Sequence, residues 1–191
     1  MKDIEIEIQV KIEKSAPLVA FLKERATFKS EKRQVDEYFS PAHRDFLAAR
    51  PVKEWLRLRD ASGDFSITYK NWHYDDAGKS HYADECESKI ESLETCRKIF
   101  EALNFKSLIV VEKVRKTWDY ETYEIALDSV TGLGDFVEVE YKGGEENVDP
   151  KQITDGMVAF LKERSVGKIE RNYVGYPFLL LFGKEAKWET Q

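Results

Sequence analysis

The stretch Ile4-Glu5-Ile6-Glu7-Ile8-Gln9-Val10-Lys11-Ile12 alternates aliphatic and polar residues without interruption. In a β-strand successive side chains point to opposite faces, so the four isoleucines and the valine share one face. Glu5, Glu7, Gln9 and Lys11 share the other. A strand with one apolar and one acid-rich, amide- and ammonium-bearing face suits the wall of a polar interior, provided other strands complete it.

Several further stretches repeat the device. Glu54-Trp55-Leu56-Arg57-Leu58-Arg59-Asp60 alternates, turns at Ala61-Ser62-Gly63-Asp64 and returns as Phe65-Ser66-Ile67-Thr68-Tyr69-Lys70. The pattern predicts a β-hairpin with Arg57 and Arg59 on one face and Lys70 on the parity of Ser66 and Thr68. Tyr82 to Glu87 places Glu85 and Glu87 together, Leu108 to Trp118 pairs Lys113 with Arg115, and Asp135 to Tyr141 pairs Glu138 with Glu140. Gln34-Val35-Asp36-Glu37-Tyr38-Phe39 and Tyr123 to Asp128 complete the strand candidates, Asp128 opening a loop. Acidic pairs and basic pairs occupy separate strands. Like charges two residues apart repel, and a shared ligand is a reason to keep them: carboxylates for a hard divalent cation, Arg and Lys for phosphate oxygens.

Helical spacing follows Ser15, runs over about 89–104 with Asn104 as its stop, and follows an Asp149 cap with Pro150 at the first helical position. The Lys/Arg-rich run from Lys23 to Arg33 reads as solvated surface and 40–51 as a long connection. Tyr173 to Phe182 reads as a docking helix or core plug, and the final residues with Trp188 are expected to fray. Gly78-Lys79-Ser80 is not a phosphate-binding P-loop, because His73 stands where that motif needs its first glycine. His43, His73 and His81 fall in or near loops at no metal-ligand spacing, and Trp55, Trp72 and Trp118 read as packing residues.

Composition sets bounds on these readings. The 191 residues, 42% hydrophobic and 13% aromatic, suffice for one domain with a sizeable core, here expected over 1–182 with a tail at 183–191. A net charge of −6 argues against nucleic acid as a partner, while leaving room for a local basic pocket. No stretch is long and apolar enough to span a bilayer, and an N-terminus opening on Lys2-Asp3 lacks a signal-peptide core, so a cytoplasmic protein with no membrane partner is expected. Cys86 and Cys96 form no C-x-x-C pair and read as reduced structural cysteines. The fold class expected is α+β, a mainly antiparallel eight-stranded β-barrel with helices outside.

In this order the strands resemble the CYTH superfamily, the triphosphate tunnel metalloenzymes, which includes class IV adenylyl cyclases and thiamine triphosphatases. The resemblance runs from the E-x-E-x-K-like first strand through Gln34 to Phe39, Leu56-Arg57-Leu58-Arg59, Thr68-Tyr69-Lys70, Glu85/Glu87, Lys113-Val114-Arg115, Leu127-Asp128 and Gly132 to Glu140. Arg171-Asn172-Tyr173 resembles the closing R-x-S-Y. It implies an eight-stranded tunnel, Mg²⁺ or Mn²⁺, and a small-molecule triphosphate such as ATP or polyphosphate; a homodimer is conceivable. Carried over by position, Glu7, Gln9, Glu138, Glu140 and Asp128 would be metal-binding and Lys11, Glu7 and Glu140 catalytic. Arg57, Arg59, Lys70, Lys113 and Arg115 would grip phosphates, and Glu5, Glu85 and Glu87 would be further tunnel positions. This register puts Gln9 where the family has its second Glu; the alternative register uses Glu5 and Glu7 and puts Gln9 where the lysine belongs. The preferred register keeps Lys11 as the lysine. The implied activity is a class IV adenylyl cyclase making cyclic AMP and pyrophosphate, with a triphosphatase or a non-catalytic polyphosphate- or nucleotide-binding module as alternatives.

Overall fold

In the computed structural model, which describes residues 4–144 and 148–191, the alternating first stretch is extended in two pieces, β1 (Ile4–Glu5) and β2 (Glu7–Ile12). They pair with different partners: β1 lies antiparallel to β6 (Ser80–Lys89), β2 to β9 (Gly134–Tyr141). Between those flanks run β5 (Asp64–Tyr74), β4 (Glu54–Ala61), β3 (Thr27–Pro41), β7 (Phe105–Tyr120) and β8 (Tyr123–Val130). The short β10 (Ile169–Arg171) and β11 (Glu189–Thr190) extend the sheet beyond β2. The order is β1-β6-β5-β4-β3-β7-β8-β9-β2-β10-β11, with every pair antiparallel.

The α+β class is the one expected, but the sheet is an open ladder of eleven strands rather than a closed ring of eight. Its flanks are brought together by chain continuity through Ile6, where the first strand leaves β6 and joins β9. Below that departure point the Arg171 guanidinium donates to the Ser80 carbonyl at 3.4 Å, a side-chain stitch from β10 to β6.

The apolar face of the first strand looks outward. Ile6, Ile8 and Val10 form one buried cluster with Leu18 and Leu22 of α1 (Ala16–Arg25), Val137 and Val139 of β9, and Met157, Val158, Phe160 and Leu161 of α3 (Pro150–Glu163). Each fully buried aliphatic side chain here contributes about 1.5–3 kcal/mol, so the main core lies between sheet and helices and the concave face is left polar. A second cluster joins Tyr38, Trp55, Val111, Val130 and Phe136 to Tyr176, Phe178 and Leu179 of α4 (Tyr176–Phe182), the expected core plug. A third sets Phe100 of α2 (Leu93–Ala102) on Phe39 and Leu58.

Several local expectations change. The basic run is solvated surface as read, mostly exposed, but from Thr27 it is already β3, whose fifteen residues pair along β7 from Thr27 opposite Asp119 to Pro41 opposite Phe105. Asp128 lies inside β8, opposite Arg115, because the ladder continues to Val130. His73 and His81 lie near a loop as read, at the strand ends of β5 and β6 that flank 75–79, and the 40–51 connection contains a 3-10 turn at Phe46–Ala48. The C-terminus is not frayed: β11 pairs with β10, and the Lys11 ammonium sits 5.3 Å from the Trp188 ring centre. The hairpin turn forms as expected, with Ser62 and Gly63 at φ +58° and +96°, the positive pair that a two-residue turn matched to strand twist requires.

Candidate active site

The concave face encloses a cavity of about 280 Å³. Because strand residues two apart share a face, each strand delivers a short ladder of side chains to it: Glu5, Glu7 and Gln9; Arg57 and Arg59; Thr68, Lys70 and Trp72; Glu85 and Glu87; Lys113 and Arg115; Glu138 and Glu140. The segment 171–177 caps one end.

One wall is acidic. Glu7 stands opposite Glu140 and Gln9 opposite Glu138 in the β2–β9 register. The Lys70 ammonium, entering from β5, forms ion pairs with Glu5, with Glu7 at 3.0 Å and with Glu85 at 3.1 Å. Burial raises the Glu5 and Glu7 carboxyls above the ordinary range, reinforced for Glu5 by Glu7 and for Glu7 by Glu138, while Lys70 opposes both. Burial also pushes Glu85 upward, but Lys70, Glu5 and Arg57 outweigh it and hold this carboxyl at about 2. Glu140 is pushed up to about 7 by burial and by Glu7, against the pull of Lys142 at 2.5 Å.

The facing wall is cationic and is held by two buried aspartates. Asp36 accepts from Arg59 Nε at 2.6 Å and Nη2 at 2.7 Å, with Arg57 Nη1 at 3.8 Å. Asp128 accepts from Arg115 Nε at 2.7 Å and Nη2 at 2.5 Å, from Lys113 at 3.2 Å and from the Tyr176 hydroxyl at 2.8 Å. Burial would raise both carboxyls, yet Arg59 with Arg57, and Arg115 with Lys113, hold them well below the carboxylate range. Arg115 also reaches Glu138 at 2.8 Å, joining the two walls. Lys113 falls to about 8 through burial and the neighbouring Arg115. Arg57 is the loosest cation: its carboxylate contacts lie at 3.8 and 3.9 Å, and its buried Nε has no acceptor.

Most residues named from the sequence therefore converge, with two exceptions. Lys11 is not brought into the cavity; its ammonium donates to the Leu133 carbonyl at 3.2 Å and lies over Phe136 at 4.9 Å. With Lys11 outside and Glu5, Glu7 and Gln9 inside, the geometry fits the alternative register, in which Glu5 and Glu7 are the paired carboxylates and Gln9 replaces the lysine. Asp128 is the other exception. Both its oxygens are occupied by cations and a hydroxyl, which makes it an anchor for Lys113 and Arg115 rather than a free metal-facing donor. Sequence reading assigns no site role to Asp36, which alternates with Gln34 and Tyr38 on β3, nor to Arg171 and Asn172, which carry only the resemblance to a closing motif.

Oxygen-only donors suit Mg²⁺ or Mn²⁺. Among the described residues no three acidic, histidine or cysteine side chains stand with metal-ligand geometry about one point. Three carboxylates instead gather around the Lys70 ammonium, a cation already in place, so the donor chemistry fits a metal once Lys70 yields part of its coordination.

Carboxylates on one wall and aspartate-braced arginines and lysines on the other give one cavity two walls of opposite charge. The chain belongs to the CYTH domain family, whose model matches residues 3–173. It is 37% identical, over 90% of its own length and 97% of the relative's, to "Putative adenylate cyclase MJ0240" of Methanocaldococcus jannaschii. Among solved structures, the PH1819 protein of Pyrococcus horikoshii superposes with a TM-score of 0.74 at 28% identity, covering 92% of this chain and 98% of that one. HpAC1 of Hippeastrum, described as a "putative adenylyl cyclase" that "reveals a dominant" triphosphatase activity, shares the fold with a TM-score of 0.64 at 21% identity, covering 94% and 96%. Among the described residues no helix is long and apolar enough to cross a membrane.

Proposed function

We propose that this protein is a divalent-metal-dependent enzyme acting on triphosphates, and that its reaction is the class IV adenylyl cyclase reaction, ATP to cyclic AMP and pyrophosphate. The observation that carries the proposal is the division of one enclosed cavity into a carboxylate wall and a wall of Arg57, Arg59, Lys113 and Arg115. The cations neutralise and align the phosphate chain, and charge that builds on its oxygens in the transition state meets side chains already fixed by Asp36 and Asp128. Glu5, Glu7 and Glu85, the three carboxylates gathered around Lys70, would hold Mg²⁺ or Mn²⁺, which when bound supplies charge neutralisation at the phosphate oxygens. Glu140, raised to about 7, is suited to accept the proton of the attacking hydroxyl near neutral pH. The ribose 3′-oxygen then bonds to the α-phosphorus as the bond to pyrophosphate breaks.

The archaeal relative's name supports the cyclase reading. The second reading, hydrolysis of a triphosphate by water, needs the same walls and is supported by the activity ascribed to the Hippeastrum protein of the same fold. Incubation with ATP and separately with tripolyphosphate, in Mg²⁺ and in Mn²⁺, with products resolved by ³¹P NMR, distinguishes the two. Cyclic AMP with pyrophosphate is expected. Orthophosphate without cyclic AMP would replace the cyclase by a triphosphatase, and binding without any product would reduce the protein to a binding module.

A further inference from the structure

His81 stands at a junction apart from the two charged walls. At the start of β6 its Nδ1 lies 2.7 Å from Thr154 Oγ1 of α3, and its ring meets the Tyr173 ring edge-on at 6.2 Å. Thr154 is fully buried and gives its own proton to the Lys151 carbonyl at 3.1 Å. Its oxygen therefore accepts from Nδ1–H, and Nε2 is the ring nitrogen left to take a proton. The same junction roots the segment that closes the cavity. Arg171 donates to the Ser80 carbonyl at 3.4 Å, the Tyr74 hydroxyl to the Tyr173 carbonyl at 3.1 Å, and the Tyr173 hydroxyl to Glu189 at 3.4 Å. From Asn172 to Pro177 the chain then lines the capped end.

Positive charge is already crowded there. The Tyr173 ring has the Arg171 guanidinium at 4.4 Å and the Lys79 ammonium at 5.5 Å. Arg171 is 3% exposed and forms no ion pair within 4.0 Å among the described residues. The neighbouring acids are engaged elsewhere, Glu189 with Lys79 at 2.7 Å and Asp155 with Lys151 at 2.6 Å. Burial and Arg171 oppose a charge on His81, Asp75 and Asp155 favour one, and Lys151 opposes it least. Burial and the cations outweigh the acids, so the fold prefers the neutral ring.

We propose that His81 is a proton-operated pin for the cap. With the ring neutral, Arg171 and Tyr173 seat against β6 and α3 and the end of the cavity is closed. A proton on Nε2 places a further cation beside a buried guanidinium that has no carboxylate partner, and the segment rooted at Arg171 and Tyr173 lifts, opening that end in acid. The Thr154 bond uses Nδ1–H in both forms, so the device works by charge repulsion and not by loss of a hydrogen bond. Its direction follows from linkage: the seated ring binds its proton less readily than a free one, so seating is fully present above about pH 6.5 and is lost as pH falls through the folded value. The device does not depend on which anion the cavity holds.

Two measurements on the full chain from pH 8 to 4.5 test this: hydrogen–deuterium exchange of peptides covering 169–178, corrected for the intrinsic pH dependence, and an NMR titration of the His81 ring, assigned through its contact with the Tyr173 ring. The ring is expected to titrate below about pH 6.5, and protection of the segment to fall between about pH 6.5 and that midpoint, by about ten-fold for each pH unit separating them. His81→Asn keeps a donor for Thr154 and cannot be charged, so its protection should change less than about two-fold over that window. The variant also separates His81 from Glu140, which titrates at about 7 inside the cavity. A ring that titrates at or above about 6.5, protection that does not fall in the window, or an equal fall in His81→Asn overturns the pin. If His81→Asn does not fold by circular dichroism, the agreement or disagreement of the two wild-type curves decides.

Discussion

Asp36→Asn removes the charge on which half of the cationic wall depends. Asp36 is 1% exposed and holds Arg59 through two bonds of 2.6 and 2.7 Å, with Arg57 at 3.8 Å as a second positive neighbour. Asparagine can still accept one of these bonds, but two buried guanidinium groups then lose their only strong counter-charge. Breaking a buried pair from one side costs about 3–5 kcal/mol; with one bond retained, about 3 kcal/mol is expected. For a chain of this size that is about 6–12 °C in Tm, read by thermal denaturation at pH 7. Because the folded Asp36 carboxyl lies below its unfolded value, its contribution is fully present above about pH 4 and is lost as pH falls towards the folded pKa. Wild type and variant should therefore converge in acid. Saturating tripolyphosphate returns negative charge to the arginines, so it should narrow the Tm gap at pH 7. A loss below about 1 kcal/mol, or a gap that tripolyphosphate leaves unchanged, would refute the reasoning.

Other expectations follow from the same charges. Lys70→Ala leaves Glu5, Glu7 and Glu85 facing one another, so its Tm in EDTA should drop below wild type and recover with millimolar Mn²⁺ more than wild type gains. Glu140 has a folded pKa of about 7 against about 4.3 unfolded, so the folded state binds the extra proton and stability should decline as pH rises between those values, by up to about 4 kcal/mol. Glu140→Gln in EDTA should flatten that slope in urea titrations from pH 4.5 to 8; an unchanged slope would place its origin elsewhere. Lys11→Ala should leave tripolyphosphate affinity within about two-fold, since it removes a cation–π contact worth about 1 kcal/mol outside the cavity. Gln9→Glu should lower triphosphate affinity and give no gain in metal-dependent turnover, because it sets a carboxylate opposite Glu138; a large gain would restore the register built on Glu7, Gln9 and Lys11.

The period-two alternation of Ile4 to Ile12, Glu54 to Lys70, Leu108 to Trp118 and Asp135 to Tyr141 was enough, by itself, to separate an apolar from a charged face on each strand. Arg57, Arg59, Lys70, Lys113, Arg115, Glu138 and Glu140 were named as one site through the family resemblance, and the fold brings them to one cavity. Alternation is a local property, fixed by backbone geometry, and it survives any arrangement of the strands. It does not say how far along the strand the cavity extends. Lys11 has the parity of Glu7, yet only the pairing of β2 with β10 shows that the strand has passed the cavity and delivered Lys11 to Phe136 and Trp188. Nor does alternation tell a ligand-facing carboxylate from a bracing one. Asp128 and Glu138 are both inward acids, and it took the contact of Asp128 with Arg115, Lys113 and Tyr176, residues 13, 15 and 48 positions away, to make it an anchor. The sequence determined which side chains face inward; the tertiary structure decided their partners, because pairing a charge depends on distances between strands that no single strand encodes.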